Sequence, residues 1–273
     1  MADAVEQKHK GTVGVEMREM SRRKRQIAVV LRLLSLVLVL AVWQWYGSQP
    51  AHVATPPPTE VFPALWDAIL HQDLLGLTWG TLVEVAVGLA ISLVFGIVVG
   101  FAIALFPWAK DTLDPLVDAA YAMPTIMLIP IIGVYTGLGF RGRIFIVFLY
   151  VALVIVVSTS VGVREVDAKL LETAHAFGLK GLRLFRKVMF PAALSHIAAG
   201  TAIGVSRAVR GAVAAELLLI TANLGGFIID MQARFNNKAL IAGILWTLFI
   251  GYALYEGALW VERRLTPWRT TTS

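Results

Sequence analysis

Long apolar runs alternate with short polar segments along nearly the whole chain. A helix needs about 20 apolar residues to cross the hydrocarbon core of a bilayer. Six runs meet that length, at about residues 27–46, 78–106, 113–138, 144–163, 194–221 and 239–260. The pattern predicts an all-α membrane protein in which a six-span domain covers residues 27–262, between polar tails at 1–26 and 263–273.

Small residues and prolines modify two of these runs. Gly96 and Gly100 stand four apart in the second run, a spacing that lets another helix approach closely. Pro124 and Pro130 interrupt the third run. Proline is tolerated in membrane helices where neighbours satisfy the freed carbonyls, so these two prolines predict either a simple kink or a bend that lines a transport pathway.

The distribution of basic residues predicts the orientation in the membrane. Of the 24 Lys and Arg residues, 18 fall in the N-terminal segment through Arg32, the C-terminal tail, the short loop at Lys110 and the loop at 164–193. Only four fall in the loops on the opposite side, and Arg207 and Arg210 lie within the fifth run. Because cytoplasmic loops are enriched in Lys and Arg, both termini and loop 164–193 are predicted to be cytoplasmic.

Composition excludes several functions. Hydrophobic residues make up 58% of the chain and charged residues 15%, well below the roughly 25% charged residues of soluble domains. There is no cysteine, so no thiol nucleophile or cysteine metal site is possible. The sequence contains no P-loop and no metal-ligand spacing. The chain is therefore expected to be a non-enzymatic protein without a cofactor or metal, and its net charge of +6 serves orientation rather than nucleic-acid binding.

The polar loop between the fourth and fifth runs has a helix–turn–helix pattern. Apolar residues recur at threes and fours through Phe177, which predicts one short amphipathic helix. Gly178 is expected to end this helix, and a second short helix is expected to end at Pro191. Two such helices at a membrane face either pack beneath the bundle or serve as a docking element for a soluble partner.

The spacing within this loop resembles the EAA loop of ABC-importer permeases. The family pattern is E-A-A, three residues, G, nine residues and I-x-L-P. The corresponding positions here, with Phe177 beside them, are Glu172, Thr173, Ala174, Phe177, Gly178, Val188, Phe190 and Pro191. Alanine, isoleucine and leucine of the pattern are replaced by threonine, valine and phenylalanine. The segment before the second run also resembles permeases of the nitrate, taurine and alkanesulfonate group.

This resemblance implies a transport subunit and a set of partners. The loop would be the coupling helix that sits on an ATPase subunit, and ATP would be bound by that partner. The implied assembly holds a second copy of the chain, two ATPase subunits and an extracytoplasmic substrate-binding protein, in the cytoplasmic membrane of a bacterium. The implied function is uptake of a small anionic solute by alternating access.

Four charged residues are predicted at membrane depth. Glu84, Arg207, Arg210 and Glu216 would each cost about 2.5–3.5 kcal/mol if they faced lipid, so we expect them to face the bundle interior. One interpretation is a structural ion pair, for instance between Glu84 and one of the arginines. The other is a substrate pathway, bent at Pro124, in which a guanidinium attracts carboxylate, sulfonate or nitrate oxygens.

Two other classes compete with an ATP-driven importer. A secondary transporter would need no ATPase partner, and internal repeats would favour it, but no repeat is evident. A membrane scaffold or receptor subunit would need no polar pathway, which four charges at membrane depth disfavour.

Overall fold

The computed structural model describes residues 27–50, 54–219 and 222–266, and the described parts are helical. They form two compact units, one up to Pro63 and one from Ala64 onward. The predicted tail at residues 1–26 lies outside the described residues, as does the end of the chain after residue 266.

The helices are numbered in chain order, and η1 is a short 3₁₀ turn. The segment Phe185–Met189, between α8 and α9, is a π-helical turn. The bounds are α1 Ile27–Gly47, α2 Pro58–His71, α3 Leu74–Leu105, α4 Pro107–Ala122, η1 Thr125–Leu128, α5 Ile129–Thr136, α6 Phe140–Arg164, α7 Ala168–Ala176, α8 Gly181–Leu184, α9 Phe190–Leu218, α10 Asn223–Ala233 and α11 Asn237–Leu265.

Among the described residues, the first unit consists of α1, the turn that leads into α2 and the first residues of α2. Trp43 donates its ring N–H to the carbonyl of Pro56 at 3.1 Å, and the side-chain amide of Gln44 contacts the hydroxyls of Ser48 and Thr59. These bonds fold the segment after α1 back on the end of the helix.

Five helical stretches are long and apolar enough to cross a membrane, and a sixth exists if a bent pair counts as one span. The five are Ile27–Gly47, Leu74–Leu105, Phe140–Arg164, Gly181–Leu218 and Asn237–Leu265. The bent pair is α4 followed by η1 and α5, which meet at 91°. The all-helical prediction is therefore confirmed, while the third predicted span is broken into two pieces.

Pro124 accounts for this break. Met123 has extended backbone angles, φ −74° and ψ 133°, and Pro124 follows in the same region with ψ 95°. A residue before proline is pushed out of the helical region by the proline ring. The chain therefore turns sharply, which is a much larger change than a simple kink.

Close packing of α3, α6 and α9 builds the core of the second unit. A Cβ on Gly96 would lie 2.5 Å from Cβ of Ile155, and one on Gly100 would lie 2.6 Å from Cβ of Thr159. The predicted close approach at this glycine pair is confirmed, and α6 is the helix that makes it. The core beside it is apolar and consists of Val85, Val147, Val151, Ile155, Ala208, Val209 and Ala212.

One sequence prediction about a helix end is wrong. The second helix of the 164–193 loop does not end at Pro191, because Gly181–Leu218 is one continuous helix. The π-helical turn precedes the proline, and Phe190 N–H bonds the carbonyl of Phe185 five residues back. This wider turn lets the chain pass a residue that has no N–H. Between the fifth and sixth runs, residues 222–237 contain the helix α10.

Candidate functional site

The loop between α6 and α9 begins with a well-capped helix. The carboxylate of Asp167 accepts a hydrogen bond from the N–H of Lys169 at 2.8 Å and so caps α7. The helix ends at Gly178, whose φ of +76° is left-handed. The N–H of Gly178 bonds the carbonyl of His175 at 2.9 Å, and the N–H of Leu179 bonds that of Ala174 at 3.0 Å. The predicted helix end at Gly178 is confirmed.

The apolar side chains of this loop are open rather than packed under the bundle. Phe177 is 82% exposed, Leu182 is 70% exposed and Leu170 is also exposed, whereas Ala174 is buried. Lys180, Arg183, Arg186 and Lys187 surround them in sequence. Glu172 and Thr173 are exposed on α7. The loop thus presents an apolar and basic surface, the combination expected of a protein-docking site.

Aromatic rings hold the far side of the loop to the bundle. Phe101 of α3 packs edge-on against Phe185 with ring centroids 4.7 Å apart, and it stacks on Phe190 at 6.1 Å. Val188 and Pro191 lie in the same stretch, at the π-helical turn and just after it. The end of the EAA-like motif is therefore anchored, and its beginning is exposed.

Two ion pairs flank the entry to α7. Arg164 donates to Asp114 of α4 at 2.7 Å, and His196 of α9 lies 2.9 Å from the carboxylate of Glu165. The two consecutive residues before α7 thus connect the loop to two different helices.

Glu84 lies in a buried polar cluster at the end of the bundle opposite α7. Its Oε1 accepts a hydrogen bond from Nε of Arg143 at 2.7 Å and another from Nδ2 of Asn223 at 2.9 Å. The expected ion pair of Glu84 with Arg207 or Arg210 is wrong. The partner is Arg143, which lies in the first turn of α6, directly opposite Glu84 of α3.

Glu216 is held in the same cluster. Its Oε1 accepts from the hydroxyl of Thr81 at 2.7 Å, and its Oε2 accepts from the backbone N–H of Gly225 at 2.9 Å. Both partners lie outside α9. Glu84 and Glu216 are both almost fully buried. A role for either residue in a substrate pathway stays a prediction.

Arg207 and Arg210 lie outside this cluster. Nη2 of Arg207 donates to the hydroxyl of Tyr121 at 2.9 Å, near the break at Pro124. Arg210 is exposed and bonds only the carbonyl of Ser206 among the contacts that the structure describes for it. Its side chain lines a cavity of about 720 Å³ between α9, α10 and α11, where Tyr252 is among the polar neighbours.

The sequence pointed to most of these residues but not to their partners. Arg143 was counted as a loop charge, although it sits inside α6. Tyr121 and Asn223 gave no signal, because a tyrosine inside an apolar run carries no charge and an asparagine beside glycines is common in loops. The one usable signal for Arg143 was that a carboxylate at membrane depth needs a cation from a neighbouring helix.

A helical chain with five candidate membrane spans, or six if the bent pair counts as one, and with an exposed EAA-like loop has the form of a transporter's membrane subunit. The chain belongs to the family of binding-protein-dependent transport system inner membrane components, whose model matches residues 92–267. It is thus the permease component of an ABC importer in the inner membrane, and ATP hydrolysis belongs to a separate subunit. The predicted family is confirmed, and a secondary transporter is excluded.

Curated relatives cover nearly the whole chain. The taurine transport system permease protein TauC of Escherichia coli is 28% identical over 252 residues, 88% of this chain and 90% of that protein. The putative aliphatic sulfonates transport permease protein SsuC of Bacillus subtilis is 26% identical, over 88% and 87% of the two chains. The nitrate import permease protein NrtB of Synechocystis is 25% identical, over 88% and 90%.

A solved structure supports the fold. An inward-facing conformation of the MetNI methionine ABC transporter aligns with a TM-score of 0.62 at 20% identity, covering 69% of this chain and 94% of that chain. The likeness extends to the fold of the helical bundle.

Proposed function

We propose that this chain forms one half of a homodimeric permease that imports a small anion, driven by ATPase subunits docked on the α6–α9 loop. The observation that carries the proposal is the exposure of Phe177 and Leu182, at 82% and 70%, within a basic loop that has the EAA spacing. A membrane subunit that hydrolyses no ATP needs a surface through which a partner moves it.

The proposed topology has six spans, with both termini and the α6–α9 loop in the cytoplasm. Support comes from the 18 Lys and Arg residues on that side against four on the other. The bent pair α4–α5 is taken as the third span. The coupling loop then comprises residues 164–193, with α7 exposed and Phe185 and Phe190 anchored on α3.

The proposed solute carries a sulfonate, nitrate or similar oxyanion group. The relatives whose names specify a solute include permeases for taurine, aliphatic sulfonates and nitrate. Arg207 and Arg210 are the charges at membrane depth that no carboxylate neutralises among the described ion pairs. A planar guanidinium matches the geometry of such oxyanions and keeps its charge at any physiological pH.

The second copy is proposed to cover the bent pair α4–α5. Met127, Val134 and Tyr135 on η1 and α5 are 70%, 82% and 85% exposed. Arg207 and Tyr121 lie at the same break, so a pathway between two copies would run beside them. Pro124 would set the angle at which each copy presents this surface.

Uptake by the reconstituted complex tests the solute class. The permease, its ATPase and its binding protein are placed in proteoliposomes, and ATP-dependent uptake of labelled taurine, alkanesulfonate or nitrate is measured. Arg207→Gln and Arg210→Gln should each lower uptake while the ATPase still co-purifies. Arg264→Gln is the control. The guanidinium carbon of Arg264 also lies 5.0 Å from an aromatic ring centroid, that of Trp260, but Arg264 is far from Arg207 and Arg210 in the chain.

Two results would contradict the anion proposal. One is parental uptake by both arginine variants. The other is uptake restricted to a neutral solute, which is a real alternative because a riboflavin transport system permease protein is 27% identical over 241 residues. The coupling proposal is tested separately by Glu172→Lys, which should leave ATP hydrolysis intact and abolish uptake; full ATP-driven uptake by this variant would contradict it.

A further inference from the structure

Two carboxylates and one arginine are buried together at the end of the bundle opposite α7. Glu84 is 1% exposed, Glu216 is fully buried and the side chain of Arg143 is 12% exposed. They come from α3, α9 and α6, and the two carboxylates are bridged by Thr81 and the first turn of α10. One guanidinium therefore compensates a pair of acids from which water is largely excluded.

The first turn of α10 is fastened to this cluster. The side chain of Asn223 donates to Glu84, the N–H of Gly225 donates to Glu216, and the N–H of Leu224 donates to Thr81 at 3.3 Å. Three consecutive residues of α10 thus bond to two other helices. Since the first N–H groups of a helix have no partner within it, these bonds satisfy donors that would otherwise be unpaired.

The backbone around this turn is shaped for the same contact. Asn223 has φ of +50°, a left-handed conformation that costs a non-glycine residue roughly 1–2 kcal/mol. Gly80 of α3 leaves the space that the amide of Asn223 fills, because a Cβ there would collide with it. A Cβ on Gly225 would likewise lie 2.5 Å from Cβ of Glu216. The contact of α10 with α3 and α9 therefore requires a left-handed backbone at Asn223 and glycine at positions 80 and 225.

We propose that Glu84, Arg143, Asn223 and Glu216 form a latch that holds α10 against α3 and α9. They act as positioning residues for transport and do not touch the solute. The latch keeps α10 fixed at the mouth of the bundle while the bent pair α4–α5 moves. This inference goes beyond the proposed solute and depends only on the fold.

Charge distinguishes a latch from a solute contact. Arg143→Gln leaves two buried carboxylates without a cation, and removing one partner of a buried ion pair is strongly destabilising. Glu84→Gln in that background removes one of the two charges and keeps the acceptor for Asn223. The amide nitrogen then takes the place of Oε2, the oxygen that has no hydrogen-bond donor among the described residues. The second substitution should therefore repair the first.

Thiol labelling of α10 provides the measurement. The chain contains no cysteine, so Met231→Cys introduces a single reporter. Met231 is 6% exposed and packs with Leu74 and Phe227 on the buried side of α10. The permease complex in nanodiscs, without solute or ATP, is treated with a membrane-impermeant maleimide, and the labelling rate is compared between variants.

We expect Arg143→Gln to label about tenfold faster than the parent, since the uncompensated carboxylates weaken the closed state. The double variant with Glu84→Gln should return most of the way to the parental rate, and it should restore uptake per ATP hydrolysed. Arg143→Lys, which keeps the charge, should label like the parent and serves if the glutamine variant fails to fold. Arg234→Gln is the matched control, because Arg234 pairs with Asp230 on the surface of α10.

Two outcomes would overturn the latch. One is a double variant that labels as fast as Arg143→Gln, or transports less than it does. The other is parental labelling by Arg143→Gln itself. The labelling measurement uses no solute, so a negative labelling result would leave the anion proposal standing, and loss of uptake in the Arg207 variant would leave the latch untouched.

Discussion

Arg207 and Tyr121 are joined twice, by a hydrogen bond of 2.9 Å to the hydroxyl and by the guanidinium carbon, which lies 5.0 Å from the ring centroid. Tyr121 is near the end of α4, just before the break at Pro124, and Arg207 lies in α9. This contact therefore ties the proposed solute-attracting charge to the bent pair.

The ring of Tyr121 should matter more than its hydroxyl. Tyr121→Phe keeps the cation–π contact, worth about 0.5–1 kcal/mol at an exposed site, and should retain most of the uptake. Tyr121→Leu removes both contacts and should lower uptake about as much as Arg207→Gln does. Initial rates of ATP-driven uptake in proteoliposomes provide the measurement. Tyr135→Leu on α5 is the control, and equal losses in both leucine variants would contradict a specific role for Tyr121.

Phe177 should anchor the ATPase subunit. Its side chain is 82% exposed on the coupling loop, and aromatic anchors buried by a partner typically cost about 2 kcal/mol or more when they are truncated to alanine. Phe177→Ala should therefore weaken ATPase association by about 30-fold or more, measured by co-purification and titration. Phe235→Ala is the matched control, because Phe235 is 88% exposed and follows α10 at the opposite end of the bundle. Equal affinity for both variants would contradict docking at α7.

The turn after α7 should require glycine at position 178 because of its left-handed backbone conformation, and not because a side chain would collide with a neighbour. Gly178 has φ of +76° and Gly139 has φ of −80°, and no heavy atom would lie within 4 Å of a Cβ at either position. Gly178→Ala should cost about 1–2 kcal/mol and loosen the end of α7, whereas Gly139→Ala should be neutral. Limited proteolysis of the loop and uptake per ATP hydrolysed would report this. Identical behaviour of the two variants would show that the left-handed turn is not needed.

The contact of α3 with α6 should depend on Gly96. Valine there would collide with Ile155, and overpacking of this kind typically costs about 1–3 kcal/mol. We expect Gly96→Val to lower the midpoint of thermal unfolding and the yield of assembled complex. Gly257→Val on α11 is the control, since no heavy atom lies within 4 Å of a Cβ at that position. An unchanged unfolding midpoint for Gly96→Val would contradict the close packing.

The apolar pattern predicted the fold well, because a bilayer leaves few alternatives to a helix of sufficient length. It failed where a single residue decides the geometry. Pro124 was expected to bend a span and instead divides it at 91°, while Pro191 was expected to end a helix and lies inside one. The difference depends on whether a neighbouring turn widens to accommodate the proline, and periodicity does not report that.

The sequence predicted which residues belong to the candidate site better than it predicted which residues contact one another there. Positions such as Glu84 stood out because a charge at membrane depth is costly, but its partner Arg143 comes from a helix 59 residues further along the chain. Pairing between distant helices depends on their register and rotation, which a single sequence does not give. The EAA-like loop was found more easily, because its spacing is local.

The helix from Gly181 to Leu218 has 38 residues, so at 1.5 Å per residue it is about 57 Å long, nearly twice the hydrocarbon thickness of a bilayer. It begins within the coupling loop and carries Arg207 further along its length. The second half of the coupling loop and Arg207 are therefore parts of one continuous helix, which contains the π-helical turn at Phe185–Met189. Insertion of a single residue there would rotate everything beyond it by about 100° about the helix axis, turning Arg207 away from Tyr121 without altering either residue.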